Sequence, residues 1–407
     1  CGRVLTESED DLIDSLDDLD ISNDQRRQAK KVLRHLYRTI HHKELISYYE
    51  ETEQDLERVL NIFIRMNSGG TPLSYSDLLL SIAVAQWSKL DARQEIHQLV
   101  DQINKEGDQF SFSKDLVLKA GLMLSDIGSV GFKVENFNKA NMLLLEENWQ
   151  SIREALLLTV RLLSSFGFNS QNLRADSAIL PIAYYLYARL PGEGYLTRVE
   201  YSQDRENIRK WLIRSLLKAS GIWGSGLDTL LTALREQIRA HADTGFPLTQ
   251  LESVMSARGK TLTFADEELD ELVELSYGDK RTFALLSLIF PGFDFSRHFH
   301  VDHIYPQGRF SKPQLRKAQI DEEIWQEIAD KADRLPNLQL LEGSINNQKR
   351  QKMPHDWYAL FKPDASARKE YLAGLEIKAL PETLSGFLSF YELRKQALRS
   401  RIAAALK

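Results

Sequence analysis

The chain has 407 residues and a mass of 46.7 kDa, long enough for two or three packed units, and 43% apolar against 27% charged residues is ordinary for a globular protein. Eleven prolines and 21 glycines exclude a collagen-like or low-complexity chain, and a single cysteine, Cys1, excludes a disulfide scaffold and a cysteine-cluster metal site. The net charge of -6 hides an asymmetry: residues 1–24 carry nine acids and one base, whereas residues 297–407 carry 19 Lys/Arg against 14 Asp/Glu, a local +5. Phosphate binding needs only a locally basic surface, so the acidic total does not exclude nucleic acid. A solvated acidic segment with ordinary scatter accounts for the numbers equally well. The longest apolar runs, around Leu78–Trp87 and Phe283–Phe290, have the length of core helices, so no membrane partner is expected. The acidic start is not that of a secretory signal, and the expected location is the cytoplasm.

Helical periodicity dominates in chain order. Leu12, Ile13, Leu16 and Leu19 form one stripe, and Val32, Leu33, Leu36, Tyr37 and Ile40 a second. Leu56, Val59, Leu60, Phe63 and Ile64 form a third, stopped by Asn67-Ser68-Gly69-Gly70. A new helix is expected after Thr71-Pro72-Leu73, with Ser74 and Asp77 as a capping-box-like start. Further helices are expected near 113–125, 151–165, 178–189, 204–219, 226–241, 264–275 and 279–290, with 126–137 a loop or a short extended piece. Trp211, Trp223, Tyr184, Tyr185 and Tyr187 read as core. His41-His42 with Glu44 reads as a solvated polar turn rather than a metal site. Beyond Pro291-Gly292 the character changes to a short extended run and then basic helices, which places a boundary near residue 291.

That run, His300-Val301-Asp302-His303-Ile304-Tyr305-Pro306, sets a carboxylate beside an imidazole. Together they can supply a metal ligand, which polarises a phosphate, and a general base, which takes a proton from water. A second run follows at Asn337-Leu338-Gln339-Leu340-Leu341, and then Ser344 can cap a helix carrying Asn346, Lys349 and Arg350 on one face. Oxygen ligands beside cations are what a phosphodiester and a hard divalent ion require together.

These pieces resemble the His-Me finger (HNH) nuclease motif, in which two short strands and a helix grip one metal. The resemblance implies Asp302 and Asn346 as metal ligands and His303 as general base. It makes Asn337 the residue that orients His303 or its loop and sets Lys349 near the phosphate. His300, Arg350 and Lys352 would contact DNA, while Pro354 and Trp357 look like the tail that packs the motif. All-oxygen ligation favours Mg²⁺ or Mn²⁺ over Zn²⁺. The long interval between His303 and Asn337, with helices expected near 311–318 and 322–331, is similar to the C-terminal nuclease domains of GmrSD-type restriction enzymes.

The N-terminal part resembles the same family independently. Ile62-Phe63-Ile64-Arg65-Met66-Asn67-Ser68-Gly69-Gly70-Thr71-Pro72-Leu73-Ser74 is similar to a segment of its ParB-like domain. The family's Asp-Gly-Gln-Gln-Arg motif for nucleotide binding is not in the chain, and Asp24-Gln25-Arg26-Arg27 is no substitute. The chain also does not open with Met, so a missing N-terminal part is expected, with Arg65 and Asn67 at most the edge of a site for a nucleoside triphosphate.

The expected architecture is therefore mainly α, with bundle-like N-terminal and middle regions and a C-terminal ββα-metal nuclease. Residues 1–110 would be the helical remainder of a ParB-like domain, 111–290 a helical middle domain, and 291–407 the nuclease. The resemblance implies a metal-dependent DNA endonuclease of a prokaryotic restriction or phage-defence system, acting on DNA that includes modified or phage DNA. Further copies of the chain, or other defence subunits, would be its protein partners. A catalytically inactive DNA-binding sensor and an RNA-cleaving toxin-like nuclease are the alternatives that use the same residues. The basic stripe Arg394, Lys395, Arg399 and Arg401 near the C-terminus would either track a DNA backbone or form ordinary surface.

Overall fold

Apolar residues at helical spacing leave the backbone one economical way to satisfy its own hydrogen bonds, and the chain is mainly α. The computed structural model describes residues 2–43, 50, 52–53, 58, 62, 75–219, 221–295 and 297–407. It divides into two units, Cys1–Asn67 and Ser68–Lys407.

In the first unit, α1 (Glu9–Asp14) starts on the Ser8 hydroxyl, which accepts the Asp11 N–H, with three acids in the first turn where the helix dipole favours them. α2 (Asn23–His41) starts on a Ser22/Gln25 capping box. The stripe from Leu12 to Leu19 predicts a longer first helix than the one found. The helix ends at Asp14, and the Arg26 guanidinium takes the Leu16 and Leu19 carbonyls at 3.2 and 2.8 Å. A side chain from α2 thus replaces the helical partners those carbonyls would have had.

In the second unit, α3 (Tyr75–Val84) and α4 (Ala92–Lys105) lead to α5 (Lys114–Leu124) and the long α6 (Lys139–Ser165). The interval 126–137 ends in a 3₁₀ turn, Val134–Phe137. α7 (Ile179–Arg189) is buried at every position from Ile179 to Leu186, because α5, α6 and α9 (Leu227–His241) pack around it. Trp211 and Tyr185 are fully buried, as their apolar setting predicts. α8 (Ser202–Leu217) packs on α12 (Lys280–Ile289), with α9, α10 (Leu248–Ser256) and α11 (Asp266–Val273) between them in sequence. Where α6 passes the start of α4, buried Glu146 accepts the backbone N–H groups of Ser88, Lys89 and Leu90, at 2.5 Å for Lys89 and 2.8 Å for Leu90.

α12 carries the site. It contacts both strands of a two-stranded antiparallel sheet, β1 (Phe299–His303) and β2 (Leu338–Glu342). Between the strands lie α13 (Lys312–Lys317) and α14 (Trp325–Ala332); after β2 come α15 (Gly343–Lys349), α16 (Pro354–Phe361), α17 (Ala365–Gly374) and α18 (Phe387–Ala405). Leu338 and Leu340 of β2 join the apolar core that begins at Leu79 and includes Leu398 and Ile402 of α18. A second, aromatic cluster is built on Ile304, Tyr305, Phe310, Trp357, Tyr358, Phe387 and Phe390. The strands are therefore held between two cores. Among the described residues, no helix is long and apolar enough to cross a membrane.

The stripe on the last helix does not form. Arg394 is buried, with its guanidinium on the carbonyls of Pro336, Leu338 and Leu375, and burial pulls its pKa down to about 10. Lys395 pairs with Glu274, Arg399 with Asp266 and Asp270, and Arg401 with Glu376 at 2.6 Å. These cations pair within the fold, which favours the ordinary-surface reading.

Candidate active site

β1 pairs with β2 so that Asp302 lies opposite Gln339 and His303 opposite Leu338. Side chains of successive strand residues point to opposite faces, so adjacent Asp302 and His303 leave the strand on different sides of its end. Both are nearly enclosed, with side chains 12% and 11% exposed.

The imidazole of His303 is fixed from two directions. Its Nε2 lies 2.7 Å from Oδ1 of Asp333, and its ring stacks on Tyr277 with centroids 4.5 Å apart and planes at 30°. Asp333 follows α14, and its other oxygen accepts Gln307 Nε2 at 3.2 Å. Tyr277 is held at that place because its N–H donates to the Asp333 carbonyl at 2.8 Å, beside an antiparallel bridge between Ser276 and Arg334. One short segment thus positions both the carboxylate and the aromatic ring.

The carboxylate of Asp302 is braced from behind. Its Oδ2 accepts Gln339 Nε2 at 2.9 Å and pairs with Lys349 Nζ at 2.9 Å. Gln339 is itself fully buried, and its own Oε1 accepts the Tyr358 hydroxyl at 2.8 Å. Burial holds the Tyr358 phenol well above its ordinary pKa, so it stays a donor. Lys349 corrects the sequence-based placement near the phosphate. Its ammonium is fully buried and also donates to the His303 carbonyl at 2.5 Å. Burial pushes its pKa down and the Asp302 charge opposes that shift. Lys349 therefore grips the backbone and the side chain of the Asp302-His303 pair from inside the fold.

Asn337 is also fully buried and holds the turn that follows His303. Its Oδ1 accepts Tyr305 N–H at 2.9 Å, while its Nδ2 donates to the carbonyls of Tyr305 and Ala332 at 3.0 and 2.7 Å. Asn346 lies half-buried on α15, one turn before Lys349. Ser344 does not cap this helix, which starts at Gly343; its hydroxyl donates to Glu342 at 2.8 Å. Nor does Arg350 share the Lys349 face. The helix ends at Lys349, and Arg350 turns outward at φ +49 with its Nε on the Asn347 carbonyl. Lys352 Nζ reaches the Gln348 carbonyl at 2.6 Å, and His300 is exposed on β1. Trp357 is buried in α16 behind this helix. Arg65 and Asn67, with most of the 62–74 segment, lie outside the described residues.

Sequence reasoning missed Asp333, Tyr277, Gln339 and Tyr358. Gln339 carried a signal, as the one polar residue within the apolar run Leu338–Leu341. Asp333 and Tyr277 carried none, because only the tertiary fold brings them to His303. Among the described residues, no group of three or more His, Cys, Asp or Glu is placed to hold a metal ion. A metal at this site would rest on Asp302 with the amide of Asn346.

Comparison with curated proteins gives no match. Residues 3–84 match the family model described as the GmrSD restriction endonuclease, N-terminal domain. The match includes α1, α2 and α3 and the glycine-containing segment between them. Over those residues the chain is similar to the N-terminal domain of GmrSD-type restriction endonucleases.

Proposed function

We propose that the chain is a metal-dependent DNA endonuclease of a restriction system, with 291–407 as an HNH-type nuclease part. The observation that carries this reading is the Asp302-His303 pair at the end of β1, gripped through both its carboxylate and its backbone by Lys349. The donor chemistry suits a hard ion: the Asp302 carboxylate and the Asn346 amide would supply oxygen ligands, and few protein ligands suffice when water and substrate phosphate complete the shell. Mg²⁺ or Mn²⁺ held there would stabilise negative charge on the phosphate and the leaving oxygen. His303 takes the proton from the attacking water, Asn337 keeps the turn beyond it in place, and Lys349 fixes the Asp302 carboxylate from inside the fold. His300, Arg350 and Lys352 line the exposed approach for the DNA backbone. In the same reading, a nucleoside triphosphate regulates cleavage.

The test is cleavage of supercoiled plasmid by the purified chain with Mg²⁺ or Mn²⁺. His303→Ala should lower the rate about 10²–10⁴-fold, the usual contribution of a general base. Equal activity in that variant sinks the assignment. Faster cleavage of RNA than of DNA would move the reading to a toxin-like nuclease, and DNA binding without turnover to a sensor.

A further inference from the structure

We infer that Asp333 is the positioning residue for His303, a role that rests on the cleavage reading just proposed. Two geometric facts converge on one imidazole. His303 Nε2 and Asp333 Oδ1 are 2.7 Å apart, within reach of a charge-assisted hydrogen bond. A carboxylate only accepts, so the proton of a neutral His303 sits on Nε2, and Nδ1 carries the free lone pair. The basic nitrogen of this site is therefore Nδ1. Tyr277, stacked on the ring at 4.5 Å, blocks one face and limits rotation about the side-chain bonds.

The carboxylate belongs to a built arrangement. Asp333 is held by Gln307 on its second oxygen and by the Tyr277 N–H on its backbone carbonyl, so the three groups around His303 are tied to one another. Asp333 is 42% exposed, whereas the imidazole is 11% exposed. The carboxylate thus stays in reach of solvent while it orients a ring that is nearly enclosed. When Nδ1 takes a proton from water, the resulting imidazolium is stabilised by the carboxylate already bonded to Nε2. No proton need pass to Asp333. A hydrogen-bonded carboxylate that fixes an imidazole tautomer is a recurring device in enzymes that use histidine as a base.

Asp333→Asn tests this, because an amide can donate to Nε2 and so favour the opposite tautomer. With plasmid and Mg²⁺, kcat should fall about 10–100-fold, the usual cost of losing a partner that orients a histidine, while KM and the melting temperature stay near those of the parent. A second readout does not need metal or DNA: the ¹⁵N resonances of imidazole-labelled protein, with His303 assigned by its loss in His303→Ala. The parent should show the Nε2–H tautomer for neutral His303, and Asp333→Asn should lose it. An Nδ1–H tautomer in the parent overturns the inference. So does a kcat within twofold of the parent in Asp333→Asn, and cleavage assigned to His303 would still stand in that case. If the parent cuts no DNA yet shows an Asp333-dependent Nε2–H tautomer, the cleavage reading fails and the positioning contact is confirmed.

Discussion

The helical body and the strand–strand–helix site are held together by opposite means. In α6 and α7 the buried positions are almost all apolar, from Leu145 and Ile152 to Ile182 and Leu186, and each fully buried aliphatic side chain contributes roughly 1.5–3 kcal/mol. Around β1 and β2 the buried groups include Asn337, Gln339, Lys349 and Arg394, every one of them hydrogen-bonded within the fold. Such groups are weak sources of stability, since desolvation offsets most of what their bonds return. Their value is directional. A leucine tolerates several packings, whereas Lys349 is satisfied only where a carboxylate and a backbone carbonyl meet. The difference teaches that the body sets the stability of the second unit, and the site sets the geometry of two adjacent side chains.

Breaking the site should show this most strongly. Lys349→Met leaves the Asp302 carboxylate enclosed without its cation and should cost about 3–5 kcal/mol, read as a lower urea midpoint. Adding Asp302→Asn should recover much of that loss, because the penalty is the unpaired charge; no recovery would mean that Lys349 acts mainly through the His303 carbonyl. In the body, Leu156→Ala opens a cavity at a fully buried position and should cost about 3 kcal/mol, with per-molecule cleavage unchanged while the protein stays folded.

A smaller effect belongs to Glu146, the polar exception within the body. Burial pushes its carboxyl pKa up, but the N–H groups of Ser88, Lys89 and Leu90 outweigh burial and leave it below the ordinary 4.5. Glu146→Gln should cost about 2 kcal/mol near neutrality. The folded pKa is depressed, so that stability is present above 4.5 and is lost as the pH falls through the lower folded value. Melting temperatures of the two proteins should therefore converge in acid. A gap that persists at low pH would mean that the carboxylate charge is not what the three amides hold. The smallest effect is expected on α18, where Arg399 makes only exposed ion pairs with Asp266 and Asp270. Arg399→Ala should change neither the melting temperature nor the affinity for DNA, and a clear loss of DNA affinity would restore the backbone-tracking reading.

Most helices were legible because apolar periodicity is a local property. The segments 178–189 and 279–290 appear in the structure as Ile179–Arg189 and Lys280–Ile289, within a residue at each end. Boundaries failed where a side chain from elsewhere intervened, as Arg26 does for the carbonyls of Leu16 and Leu19. At the site, the pattern placed Asp302, His303 and Asn337 on a strand and at the entry to its partner, and the register bears out that local reading. The direction of Lys349 was not legible, since helical spacing says which residues share a face and not whether that face is buried.

The sequence alone therefore determined the mainly helical class, the family resemblance at its N-terminal end, and the adjacency of a carboxylate to an imidazole. These depend on residues close together in the chain, where the 3.6- and 2-residue periods of the backbone act directly. Only the tertiary structure decided that Asp333 meets His303 from 30 residues away, that Lys349 turns inward, and that the basic residues of α18 pair within the fold. Those outcomes follow from which faces the two cores bring together and from the cost of leaving a charge unpaired once water is excluded, and neither quantity is written in any short stretch of sequence.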